Sequence, residues 1–116
     1  MSYMLLIMEP HGQRAARTPE EGTQAYESML QFAADLKSRG LLRATESLRT
    51  GGVRLATQDG KRTRIDGPFA ETKELVGGFF LLDCDDREQA IAIAAQCPAA
   101  EWATVEVREL GPCYAG

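Results

Sequence analysis

The chain has 116 residues, of which 44% are hydrophobic and 26% are charged. This length and balance are typical of one globular domain with a single core, and they exclude a disordered chain. The formal net charge of −4 disfavours nucleic-acid binding, because nonspecific binding depends on neutralising phosphates. No apolar run approaches the about 20 residues that span a bilayer, so we expect neither a transmembrane helix nor a membrane partner.

The cysteines predict neither disulfides nor a metal site. Three are present, Cys84, Cys97 and Cys113, and their wide spacing contains no CxxC pair. No positively charged leader with a cleavage site accompanies an apolar run, so we expect a reducing, cytoplasmic location. The sequence also lacks a phosphate-binding loop and a dinucleotide fingerprint, and we therefore expect no cofactor.

The first part of the chain predicts a strand, a helix and a second strand. Residues 2–8 are almost continuously apolar, which is typical of a strand buried on both faces, and a polar loop follows. The segment at residues 18–21 has the Thr, Pro and Glu of a capping box, and Gly40 is placed to end the long amphipathic helix that begins there. In a strand at residues 41–48, alternation places Glu46 on the apolar face.

An inserted hairpin comes next. Alternating runs at residues 53–57 and 61–65 flank an Asp-Gly pair, which is among the strongest short signals for a β-hairpin. The hairpin leads into residues 66–74, whose Asp-Gly-Pro opening forces the backbone to turn. Because a turn needs neither an aromatic ring nor several charged residues, this loop carries more chemistry than a connection requires.

The last part of the chain repeats the first pattern. Residues 79–83 predict a second apolar central strand, and Asp85 begins a helix that Cys97 and Pro98 end. Residues 103–110 alternate as a final strand, and the residues after it predict a loose tail.

This order predicts an α+β, ferredoxin-like βαββαβ fold with an inserted β-hairpin. Both helices cover one face of the sheet, because each crossover has the same hand. The central strands carry apolar residues on both faces, so the other face would be a large exposed apolar patch. We therefore expect a homodimer whose sheets face each other, with the hairpin reaching over the edge or into the partner.

The nonapeptide at residues 66–74, DGPFAETKE, closely resembles the YCII-related family of DGPF-domain proteins. Further matching segments are residues 3–7, 78–81 and 105–108. The resemblance implies a single YCII-related (DGPF-type) domain over residues 2–110, followed by a loose tail over residues 111–116. It also implies a dimeric α/β barrel built from ferredoxin-like units.

The resemblance implies less about function. Most DGPF-type proteins have no established activity. The resemblance also implies that many of their genes lie beside genes for extracytoplasmic-function sigma factors. Better-studied relatives are thought to use a histidine on the first helix and an aspartate just before a proline after the second helix. Here the first helix has no histidine and Cys97 precedes Pro98, so that acid–base pair does not transfer.

Three residues are catalytic candidates: Asp66, His11 and Glu46. His11 and Asp66 lie on loops next to strands, where sites on a rigid sheet are common, and a histidine near a carboxylate can serve as general acid or base. Each has a structural alternative. His11 can be a solvated loop residue, Asp66 can accept bonds from its own turn, and Glu46 can lie beyond the buried surface or be turned outward by a bulge.

Four residues of the same loop are candidates for ligand binding. Phe69 offers an apolar wall, Lys73 offers a charge for an anion, and Glu71 and Thr72 lie between them. Alternatively, Phe69 fills the barrel, and the charged residues are solvated or form a salt bridge across the dimer.

Two functional classes stay open at this point. In the first, a small molecule binds in a pocket near the dimer interface, with or without acid–base enzymatic activity. In the second, the protein is a noncatalytic dimeric module with a regulatory or structural role, associated with a sigma-factor-linked pathway.

Overall fold

The computed structural model describes residues 2–69 and 71–116, so that Ala70 of the DGPF nonapeptide lies outside the described residues. The elements in chain order are β1 (Ser2–Pro10), α1 (Gln13–Ala16), α2 (Pro19–Ser38), β2 (Leu42–Ser47), β3 (Val53–Gln58), β4 (Lys61–Asp66), β5 (Glu74–Asp83), α3 (Arg87–Gln96), a 3-10 helix (Pro98–Glu101) and β6 (Thr104–Glu109). Four strands form an antiparallel sheet in the order β2-β5-β1-β6, and β3 pairs with β4. The predicted α+β class is confirmed, and the order is compatible with a ferredoxin-like plan.

The two central strands, β1 and β5, are apolar on both faces, as their sequences predict. On β1, Tyr3, Leu5 and Ile7 are buried against the helices, while the alternate side chains on the opposite face are only partly covered. Because directly paired residues share a face, the pairing of Leu6 with Phe79 places both on the face that no helix covers. We call this face the open face.

The core lies between the helices and the sheet. Its largest fully buried side chains are Leu5, Leu36, Leu82 and Ile93, contributed by β1, α2, β5 and α3. The rings of Phe32 and Phe80 meet edge to face with centroids 5.2 Å apart, which fixes α2 against β5.

The helix starts follow local sequence signals, with one correction. The capping box of α2 is confirmed: the Thr18 hydroxyl accepts from the Glu21 amide at 3.1 Å, and the Glu21 carboxylate accepts from the Thr18 amide at 2.9 Å. The prediction that Asp85 caps the second long helix is wrong. Asp86 caps it, since its carboxylate accepts from the Gln89 amide at 2.9 Å, while the Gln89 side-chain oxygen accepts from the Asp85 amide at 2.7 Å.

A bulge corrects the predicted alternation of β2. The pairing with β5 shifts between Leu42 and Ala44, so Leu42 faces the helices, whereas Ala44 turns to the open face. Glu46 pairs with Phe79 and is exposed. Its expected position among core-facing residues is therefore wrong, and the bulge is the physical reason.

The hairpin is confirmed and stands apart from the main sheet. Asp59 and Gly60 form its turn with φ of 50° and 77°. Val53, Leu55 and Ile65 are each more than half exposed on it. The radius of gyration is 16.1 Å, against about 13 Å for a compact chain of about 100 residues, as expected for a domain with a protruding ribbon.

A second difference concerns the segment after β1. The sequence predicts only a loop there, but residues 13–16 form the short helix α1. Over residues 2–69 and 71–116, no helix is both long and apolar enough to cross a membrane.

Candidate functional site

A cavity of about 460 Å³ lies between α2 and the sheet. This volume is in the range of small-molecule pockets. The wall from α2 is formed by Gly22, Ala25, Tyr26, Met29, Leu30 and Ala33. Opposite it lie Ile7 of β1, Phe80 of β5 and Trp102, so the body of the cavity is apolar.

One end of this cavity is polar, because a buried carboxylate lies there. Glu9 is only 7% exposed, and alternation along β1 places it on the helix-facing side with Ile7. Arg14 binds both of its oxygens: Nε donates to Oε2 at 2.9 Å and Nη2 donates to Oε1 at 2.7 Å. Such a bidentate pair is the strong form of the arginine–carboxylate interaction and compensates the charge that burial makes costly.

Arg14 also ties three strands together. Its Nη1 donates to the carbonyl oxygen of Leu48 at 2.6 Å, and its Nη2 donates to that of Gly77 at 3.0 Å. The end of β1, the residue after β2 and the body of β5 are therefore joined through one guanidinium. No buried side-chain nitrogen or oxygen among the described residues lacks a hydrogen-bond partner.

Gly77 provides the space for this pair. A Cβ atom at Gly77 would collide with the carboxylate of Glu9 and would lie 2.8 Å from Glu9 Cγ. A glycine is thus required by the close approach of β5 to the Glu9 side chain.

A second guanidinium borders the polar end. Arg17 Nη2 donates to Oε1 of Gln13 at 3.2 Å, and Gln13 Nε2 donates to the carbonyl oxygen of Trp102 at 2.6 Å. The Arg17 guanidinium carbon also lies 5.6 Å from the centroid of the Trp102 ring. The short helix α1 therefore brings Gln13, Arg14 and Arg17 to one end of the cavity.

A smaller cavity, of about 250 Å³, is bordered by Phe69 and Thr72. Both belong to the segment at residues 66–74, which we call the DGPF loop. Arg54 of the hairpin stacks on Phe69 with its guanidinium carbon 3.8 Å from the ring centroid, and its Nη1 lies 3.5 Å from the Glu71 carboxylate. The Thr72 hydroxyl donates to the carbonyl oxygen of Phe69 at 2.7 Å, which holds the turn.

The predicted site residues are divided between these regions. His11, Phe69 and Thr72 line the smaller cavity, and Glu71 adjoins it through Arg54. Lys73 is exposed, and its carbonyl oxygen accepts from the amide of His11 at 2.8 Å.

The three catalytic candidates do not line one cavity. Glu46 borders the larger cavity, His11 borders the smaller one, and Asp66 borders neither. The exposed Asp66 carboxylate accepts from Nε of Arg64 at 3.1 Å. Catalytic roles for these residues stay predictions.

Sequence reasoning missed Glu9, Arg14, Arg17 and Gly77. One signal was present: the alternation of β1, continued by two residues, places Glu9 on the buried face behind Ile7. No comparable signal indicates Arg14, because its carbonyl partners lie 34 and 63 residues away in the sequence.

The position before Pro98 holds a buried thiol. Burial raises the pKa of Cys97, with opposing hydrogen bonds to Ala99 and Ala100, and its Sγ lies 3.9 Å from Sδ of Met29. A neutral thiol packed against a methionine is suited to filling space under the cavity wall. Across residues 2–69 and 71–116, histidine, cysteine and acidic side chains form no group of three that could hold a metal ion.

Comparison with known proteins places the chain among relatives of one domain type. A 63-residue segment is 40% identical to an uncharacterised protein of Rhizobium meliloti (strain 1021). This segment covers 53% of the chain and 51% of the relative, so the match spans about half of the relative's length. The YCII-related domain matches residues 1–113. The chain therefore belongs to the YCII-related domain family.

Proposed function

We propose that the protein binds a small molecule in the cavity between α2 and the sheet. The observation that carries this proposal is a largely apolar cavity of about 460 Å³ that ends at the buried Glu9 carboxylate and its bidentate partner Arg14. Small-molecule sites are concave, mostly apolar pockets of about 300–1,000 Å³ with a few polar groups that fix orientation, and this cavity has that size and lining. A rigid polar group at one end would orient the bound molecule.

The wall contributed by α2 supports the same conclusion. Tyr26 and Leu30 border the cavity and are each about half exposed. A bound molecule would cover part of this apolar surface and would gain about 25 cal/mol per Å² that it removes from water.

Binding is better supported than acid–base catalysis by the predicted residues. His11 and Asp66 lie outside this cavity, and the exposed Glu46 pairs with Phe79 on the open face. Glu9 has both oxygens bound by Arg14, an arrangement that suits a fixed anchor.

A thermal-shift screen with a pair of helix variants tests the proposal. Ala25→Phe fills the cavity from α2, whereas Ala34→Phe adds the same side chain at an exposed position that does not line the cavity. A ligand at about 100 times its Kd stabilises the native state by about 2.7 kcal/mol. We expect this stabilisation in the wild type and in Ala34→Phe, and its loss in Ala25→Phe. A ligand that stabilises all three proteins equally contradicts the location, and the absence of any stabilising ligand contradicts the function.

We also propose that two copies pair through the open face to form the α/β barrel. Partly exposed apolar side chains cover the centre of this face: Met4, Leu6, Met8, Phe79 and Leu81. A second copy would bury them, and the exposed apolar residues of the hairpin would then extend the contact.

The oligomeric state in solution tests this pairing. Light scattering after size exclusion should give about twice the chain mass for the wild type, and the mass of one chain for Leu6→Lys with unchanged circular dichroism. A monomeric wild type at high concentration contradicts the dimer. A dimer that binds no molecule in the screen favours the alternative of a structural or regulatory module.

A further inference from the structure

We propose that the cavity is specific for a monoanionic, carboxylate-bearing molecule with an apolar body, and that Arg17 binds its carboxylate. This inference rests on the proposed function and names the ligand class of the same site. The charged groups Glu9, Arg14 and Arg17 at the polar end of the cavity support it.

The Glu9–Arg14 pair leaves no net charge at that end. Both carboxylate oxygens of Glu9 accept from Arg14, and the remaining Arg14 bonds go to carbonyl oxygens. Arg17 forms no ion pair with a carboxylate from the described part of the chain. Arg17 is therefore a guanidinium at that end of the cavity that no salt bridge engages among the described residues, and a single available cation matches a monoanion better than a dianion.

Glu21 lies close enough to Arg17 for the Arg17 charge to contribute to lowering the pKa of its carboxylate, but among the described residues no salt bridge joins the two side chains. Glu21 is engaged in the capping box, where its carboxylate accepts from the amide of Thr18 at 2.9 Å. Glu46 also borders the cavity, but its pairing with Phe79 places its side chain on the open face.

Arg17 is positioned to bind without a large loss of conformational freedom. Its stacking over Trp102 and its hydrogen bond to Gln13 limit the orientations of the guanidinium. Only one of its N–H groups is used in that hydrogen bond, so the planar fork retains donors for both oxygens of a carboxylate.

The remaining wall selects an apolar body. Beyond the polar end, α2 presents Ala25, Tyr26, Met29 and Leu30, none of which carries a charge. An alkyl chain or ring along this wall would leave its carboxylate at the end that Arg17 borders. The occupant is therefore an amphiphilic carboxylic acid of small size.

Calorimetric titration of the 116-residue chain with hexanoate and with its neutral counterpart hexanamide tests the inference. We expect the wild type to bind hexanoate at least about tenfold more tightly, because a charge-assisted hydrogen bond exceeds a neutral one by about that factor. Arg17→Gln should abolish this preference by weakening hexanoate binding far more than hexanamide binding, and Arg17→Lys should restore part of it. Arg62→Gln, at an exposed hairpin position, should behave as the wild type.

The possible results separate the ligand class from the binding site. Equal affinities for the two compounds in the wild type, or a preference that survives in Arg17→Gln, overturn the role of Arg17. Failure of both compounds to bind also overturns the ligand class. In each case the proposed function still stands if the screen finds a different ligand whose stabilising effect Ala25→Phe removes.

Discussion

Two arginine–carboxylate pairs represent the two contrasting regions of the molecule. Arg14 and Glu9 lie beside the large cavity, 2.7 Å apart, with side-chain exposures of 31% and 9%. Arg64 and Asp66 lie on the hairpin, 3.1 Å apart, with exposures of 67% and 66%. The distances are similar, but the carboxylate of the first pair is buried, whereas both side chains of the second pair are exposed to water. Their energetic roles therefore differ far more than their geometry.

The most distinctive sequence motif and the most buried charged side chain lie at different places in the molecule. Asp66 belongs to the DGPF nonapeptide, the most distinctive stretch of the sequence, yet its side chain is exposed and, among the described residues, its carboxylate pairs with Arg64 alone. Glu9 stands in an unremarkable Met-Glu-Pro sequence, yet it is the buried charged residue on which three strands converge through Arg14. A distinctive motif and a demanding chemical environment are thus different properties.

Removing each arginine should give the largest contrast. Arg14→Met leaves the Glu9 carboxylate buried without a partner, so we expect the free energy of unfolding to fall by about 3–5 kcal/mol. Arg64→Met should lower it by less than about 0.5 kcal/mol, because exposed ion pairs contribute little. Urea denaturation of both variants measures the difference.

A double variant separates the uncompensated charge from lost packing. Glu9→Met combined with Arg14→Met removes both charges, and it should be more stable than Arg14→Met alone. Equal losses in Arg14→Met and Arg64→Met would contradict the inferred energetic difference between the buried and the exposed pair.

Two glycines provide the next contrast. Gly77→Ala places a methyl group against Glu9, and we expect a loss of about 1–3 kcal/mol from overpacking. Gly51→Ala, in the loop before the hairpin, meets no atom within 4 Å and should be neutral or slightly stabilising. Chemical denaturation measures both. If Gly77→Ala is as stable as Gly51→Ala, the close approach of β5 to Glu9 is not a constraint.

Within the hairpin region, the contact of Arg54 with Phe69 should have a smaller, local effect. Arg54→Gln removes the stacked guanidinium, and we expect a loss of about 0.5–1 kcal/mol, as for cation–π contacts at exposed sites. Limited proteolysis should detect faster cleavage near the DGPF loop, with Arg62→Gln as the control. Unchanged cleavage would show that the loop is held by its own turn, through the Thr72 to Phe69 hydrogen bonds.

The fold was predictable where its signals are local. The capping box at Thr18 and the Asp59-Gly60 turn each act over a few residues, and both lie where the sequence predicts them. The bulge after Leu42 depends on how β2 pairs with β5, so the alternation of β2 alone gave the wrong face for Glu46.

The candidate site was less predictable for the same reason. Arg14 binds carbonyl oxygens of Leu48 and Gly77, and any residue type supplies a carbonyl, so those partners leave no trace in composition or spacing. Gly77 has no distinguishing sequence signal either, because the steric constraint on it comes from the side chain of Glu9, on a different strand. Of the site, only the core-facing position of Glu9 could be read from the sequence.

The smallest predicted effect concerns pH at the start of α2, next to Arg17. Hydrogen bonding from the Thr18 backbone, and then from its side chain, holds the pKa of Glu21 below its ordinary value of 4.5, and the nearby Arg17 charge contributes in the same direction. A lowered folded-state pKa stabilises the fold above the unfolded value, and the stabilisation is lost as pH falls through the folded value.

Glu21→Gln should therefore lower Tm slightly at neutral pH, and the difference from the wild type should shrink as pH falls through the lowered pKa of Glu21, below which both side chains are uncharged. Glu20→Gln, in the same helical turn but outside the capping box, is the matched control and should show a smaller difference. A difference between wild type and Glu21→Gln that is independent of pH would mean that the hydrogen bond, and not the charge, stabilises the helix start. In that case the carboxylate of Glu21 would compete only weakly for Arg17, and the guanidinium would be more available to an anion in the cavity.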